Sequence, residues 1–153
     1  MEKIQKKYAE HIVKFSLPSY CEIDSDFEIF DIDDEKYMLR EIRKRIHEKI
    51  EDYVKIIEPF LQPEAFIKDM HECKILNDEE KKKIYALYKR LMFFGRYSIE
   101  ISINENDEKS ALFINEVFKE WDNIKKKILF LVVKMKESWL NETDDEEKVG
   151  YMG

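Results

Sequence analysis

Apolar residues recur at Ile114, Phe118, Trp121, Ile128, Leu131, Val132, Met135 and Trp139, mostly in steps of three and four. That spacing marks one face of an α-helix, which we place over residues 107–142. At about 1.5 Å per residue it is roughly 50 Å long, enough to act as the spine of a small domain. From Ile128 to Val133 every residue is apolar, which predicts a stretch enclosed by neighbours on all sides. Six residues fall far short of the ~20 needed to cross a bilayer.

Two other segments carry the same period. Residues 34–58 place Leu39, Ile42, Ile46, Ile50, Tyr53 and Ile57 on one face, and Pro59 and Pro63 are expected to end that helix. Residues 78–103 do so with Ile84, Leu87, Leu91, Phe94 and Ile101, and the small polar Ser98 interrupts that stripe. Asn77 followed by Glu80 reads as a capping box. The polar break at 104–107 predicts an antiparallel hairpin between the last two long helices. Each long helix opens on acids (Asp33, Asp34 and Glu35; Asp78, Glu79 and Glu80; Asp107 and Glu108), which complement the helix dipole.

The rest is shorter. Residues 1–15 form a short helix with Ile4, Tyr8, His11, Ile12 and Phe15 along one side, broken through Pro18. Residues 22–33 alternate acids with Ile23, Phe27, Ile29 and Ile32, the pattern of an extended segment or a loop pinned by aromatics. A short helix over 64–73 should turn Phe66, Ile67 and Met70 inward. The expected fold is an all-α antiparallel bundle of three long helices plus one or two short ones, a single domain over 1–141. A flexible acidic tail over 142–153 follows. Gly95 is the sole glycine before residue 150, and it predicts a close helix approach or a bend.

Composition narrows the chemistry. The net charge of −7 gives no general attraction to nucleic acid or to anionic membranes. The absence of any glycine before residue 95 removes a glycine-rich phosphate loop. The two cysteines, Cys21 and Cys73, form no disulfide framework, and no apolar signal segment opens the chain, so the expectation is a cytoplasmic protein. Abundant Lys and Glu with scarce Gln lean towards a thermophile. Asp24, Asp26, Glu28 and Glu35 fall in a calcium-loop register, but Ile29 stands where that loop requires glycine. His71 and Cys73, two residues apart, point to different sides of a helix and make a poor ligand pair. His47 and Glu51 share a helix face without the second pair a di-iron centre needs.

These residues imply no cofactor, metal or catalytic constellation. The expected function is non-enzymatic: a helical interaction or regulatory protein that binds itself, as a homodimer, or a protein partner. The expected surface is an apolar strip of Tyr88, Phe93, Tyr97, Phe113 and Val117 on the last two long helices. One alternative is a nucleic-acid-associated protein gripping phosphates with Arg40, Arg43, Lys44, Lys81, Lys82, Lys83, Lys125, Lys126 and Lys127. Another is a metal-dependent bundle enzyme with a site assembled from His47, His71 and acids.

Overall fold

The structure, a computed structural model, describes residues 2–140, apart from the side chain of residue 2. The predicted acidic tail lies outside the described residues. Six helices follow in order: α1 (Glu2–Phe15), α2 (Tyr20–Phe27), α3 (Met38–Leu61), α4 (Ile67–Glu72), α5 (Asp78–Ile103) and α6 (Asp107–Ser138), with a 3-10 turn at Ile29–Asp31. Helix accounts for 81% of the described residues and none is in a strand, so the fold is the all-α bundle the periodicity predicts.

The three long helices form the core. α5 runs antiparallel to α3, with Arg43 meeting Ser98 near one end and Tyr88 meeting Glu58 towards the other. It is also antiparallel to α6, where Arg90 pairs with Glu120 and Lys134 with Glu80. α3 and α6 therefore run the same way, and Tyr53 of α3 stacks on Trp121 of α6 with centroids 5.4 Å apart. α1 and α2 lie over the outside of this trio. Phe27 of α2 packs on the same tryptophan at 4.8 Å, and the Asn115 amide of α6 donates to the Phe15 carbonyl at the end of α1.

Several sequence expectations need correcting. The segment after Pro18 is helical because Ser19 and Glu22 form a reciprocal capping box, and Ile23 and Phe27, four residues apart, are buried together. Pro59 lies inside α3 rather than ending it. Proline removes its own N–H bond and crowds the carbonyl four residues back, and α3 stops within a turn of it, with the Gln62 N–H closing that last turn on the Glu58 carbonyl. α3 begins at Met38 because Asp34 takes the N–H groups of Lys36 and Tyr37 in a turn ahead of the helix. The run from Ile128 to Val133 is not enclosed: Leu131 is fully buried, but Leu129, Phe130 and Val132 are exposed, so α6 buries one arc here. Gly95 is buried, yet a methyl group there would meet nothing within 4 Å, so no close approach requires it.

At the bundle end where α3 starts, Glu105, in the link between α5 and α6, pairs with both Arg40 and Arg43. Arg43 is only 2% exposed and also donates to the Ser98 carbonyl and hydroxyl at 3.0 and 2.7 Å. The polar interruption in the α5 stripe is thus the acceptor for an arginine buried from α3. Burial lowers the Arg43 pKa, and the neighbouring Arg40 charge pushes it the same way.

Candidate apolar docking end

The opposite end of the bundle is built differently. α4 has only six residues, and its two carboxylates, Asp69 and Glu72, share a face at i and i+3. Both are buried, Asp69 to 5% exposure. Asp69 accepts from the Glu64 N–H at 3.3 Å, and Glu72 accepts from the Trp139 indole N–H at 3.1 Å. The His71 ring packs on Trp139 with centroids 4.1 Å apart, and its Nε2 lies 3.2 Å from the Ser138 carbonyl and hydroxyl. Polar contacts to the end of α6 therefore fix the orientation of α4. The cost is on its other side: Phe66, Ile67 and Met70, expected to point inward, are 63%, 71% and 47% exposed.

Beside α4 opens a cleft of about 820 Å³ between the last turns of α3 and the first turns of α5. Its walls include Pro59 and Leu61 from α3, Tyr85 and Tyr88 from α5, and Phe66 and Asp69 from the α4 segment. The two tyrosine rings stack 19° from parallel at 6.4 Å, and the Tyr88 hydroxyl donates to Glu58 at 3.2 Å. Burial, then the hydrogen bond to the Glu58 carboxylate, raises the Tyr88 pKa above its ordinary value. Lys55, Glu58, Glu64 and Lys68 supply charge around the opening. Prolines, tyrosines, Leu61 and Phe66 share the lining of this trough about equally with charged and amide side chains.

The predicted strip on α5 and α6 does not exist as one surface. Tyr88 belongs to the cleft just described. Phe93 and Tyr97, edge to face at 6.0 Å, border a second cleft of about 490 Å³ with Arg96, Glu100, Ile101 and Lys109. Phe113 and Val117 are fully buried and cannot serve as a surface. α6 packs against α3 and the outer helices as well as α5, so its buried arc is wider than a two-helix projection allows. Phe113 instead meets Phe94 and Tyr97.

The basic residues are not brought together either. Arg40 and Arg43 are bound to Glu105, and Arg43 is inside the protein. Lys44 pairs with Glu41. Lys81, Lys82 and Lys83 open α5, at the end away from Arg40. Lys125 is held by Asp26 at 2.6 Å and flanked by Asp122, which leaves Lys126 and Lys127 as the exposed part of that cluster. His47 pairs with Glu51 at 2.9 Å in the middle of α3, away from His71 on α4. Among the described residues no three His, Cys, Asp or Glu side chains converge as a metal set, and no helix is long and apolar enough to cross a membrane.

Sequence reasoning missed the roles of Glu72, Trp139 and Glu105. For Arg43 a signal was present: it sits between Leu39 and Ile46 at helical spacing, inside the apolar face of α3. Compared with known proteins, the chain matches no family model, no curated protein and no solved structure, so its function has to be argued from this geometry.

Proposed function

We propose that this chain is a non-enzymatic interaction protein of the cytoplasm that docks a protein partner through the α4 end of its bundle. One observation carries the reading. Phe66, Ile67 and Met70 face outward beside an 820 Å³ trough walled by Pro59, Leu61, Tyr85 and Tyr88, and Trp139 and Leu140 are exposed at the same end. Single exposed apolar residues are ordinary, but a cluster of them beside a concave wall of mixed apolar and polar lining is the pattern of an interaction site. The two unbridged cysteines, with Cys21 exposed, suit a reducing compartment.

The test is site-specific photo-crosslinking in the native cell. A photoreactive phenylalanine in place of Phe66 should give discrete protein adducts. The same group in place of Ile103, exposed at the other end of the bundle, should give only background. Adducts at Ile103 with none at Phe66 would refute the assignment.

A further inference from the structure

We infer that the outer face of the second half of α6, a surface separate from the α4 end, seats an acidic amphipathic helix of another protein. This half of α6 carries two apolar seams. Ile124, Ile128, Leu131 and Met135 turn into the bundle. Leu129, Phe130 and Val133 lie about half a turn away, on the opposite side of the helix. Leu129 and Phe130 are exposed, as is Val132 beside them. α1 and α2 are held on α6 at Asn115, Phe118, Trp121 and Lys125, upstream of this second seam. From Lys126 to Lys136 the face runs about 15 Å, nearly three turns, which matches the contact length of a short docked helix.

Charge selects the occupant. Residues 123–136 contain five lysines and no acid, in a chain of net charge −7. Two of the five are neutralised within the fold, Lys125 by Asp26 and Asp122, and Lys134 by Glu80. Lys126, Lys127 and Lys136 are exposed, with no acid among the described residues within ion-pair distance. A surface lysine on a helix is ordinarily balanced by an acid three or four residues away. For these three only Asp122 stands so placed, four before Lys126, and it is drawn to Lys125 at 3.8 Å. Around the helix Lys127 falls on one side of the seam and Lys136 on the other, with Lys126 at its upstream end. The complement is an apolar seam flanked by carboxylates. A second copy would bring the same lysines and be repelled. Phe130, the aromatic on the seam, has the Lys134 ammonium 4.9 Å from its ring centre, which closes that face to a stacking base. A planar anionic membrane would meet the rest of an acidic body along with this one ridge.

Fluorescence anisotropy with the full chain tests this. The probe is a labelled, stapled model helix of about 20 residues, with leucine along one face and glutamate flanking it. It should bind, and Lys126→Glu with Lys127→Glu should weaken binding about tenfold or more. Leu129→Ser, at an exposed position whose circular dichroism should be unchanged, should do the same. Lys3→Glu with Lys6→Glu, an equal charge change on exposed residues of α1, should leave binding intact. A peptide of the same composition with its leucines scattered round the helix should bind about tenfold more weakly, since only an aligned seam covers the ridge. No binding of the probe, equal binding of the scattered peptide, or indifference to Leu129→Ser overturns the inference. Tighter binding to an oligo-dT strand or to phosphatidylserine vesicles than to the model helix overturns it too, and gives the face to nucleic acid or lipid. If the probe binds only after residues 142–153 are removed, the seat belongs to the chain's own acidic segment and the inference fails.

Discussion

Glu105→Gln should be among the most damaging single substitutions in the protein, although Glu105 lies in a three-residue link between helices. The glutamate holds Arg40 and Arg43, and Arg43 is almost wholly removed from water. Removing one partner of a buried ion pair typically costs about 3–5 kcal/mol, because the remaining charge is left desolvated. Two features pull the value towards the lower limit. The Ser98 carbonyl and hydroxyl still accept from Arg43, and the Arg40 side chain is 36% exposed and can turn to solvent. We expect about 3 kcal/mol, read by urea denaturation followed at 222 nm. Arg40→Ala, at the wetter side of the triad, should cost about 1 kcal/mol or less. The discriminating variant is the double substitution. Arg43→Met with Glu105→Gln removes the stranded charge, along with an Nε that meets no acceptor among the described residues, and should be more stable than Glu105→Gln alone. If Glu105→Gln costs less than about 1 kcal/mol, or the double variant is the weaker of the two, the triad is effectively solvated and the reasoning fails.

Other outcomes follow from the same packing. Leu131→Ala removes a fully buried side chain from α6 and should cost about 2–5 kcal/mol in the same melts. Gly95→Ala should stabilise the protein by roughly 0.5–1 kcal/mol, since α5 gains helix propensity and the methyl group meets nothing. Glu80 is held below its ordinary pKa of 4.5, first by its bond from Lys134 and then by the Asn77 N–H. A depressed carboxylate favours the fold above its unfolded value and loses that effect as pH falls through the folded one. Titration of the Glu80 carboxyl by NMR should therefore give a midpoint below 4.5, and Lys134→Met should move it up.

The parts of the fold legible in the sequence are those in which one helix supplies its own signals. Leu39, Ile42, Ile46 and Ile50 repeat long enough to announce α3, and Asn77 with Glu80 announces the start of α5 within four residues. Eight residues of α2 are too few for period to decide, since Ile23, Phe27, Ile29 and Ile32 fit alternation as well as a turn of helix. α4 is harder still. Its orientation is set by Trp139 and Ser138, which lie 67 residues away from their partners and give no local trace. Which apolar residues stay exposed was illegible for the same reason. The sequence marks apolar residues but not which of them a third or fourth helix covers, so Phe113 went inside and Ile67 came out.

The stack of Phe27, Tyr53 and Trp121 makes the protein its own optical instrument. The chain has two tryptophans, and they report on opposite environments. Trp121 is 1% exposed, ringed by aromatics, and its indole N–H meets no acceptor among the described residues. Trp139 is half-exposed at the tip of the α4 end, against His71. Trp139→Phe leaves a single blue-emitting fluorophore that follows global unfolding. Trp121→Phe leaves one that iodide can reach, and its quenching registers whatever covers Phe66 and Ile67. Comparing the two separates a change at the surface from a loss of the core in one cuvette, without a dye or a tag.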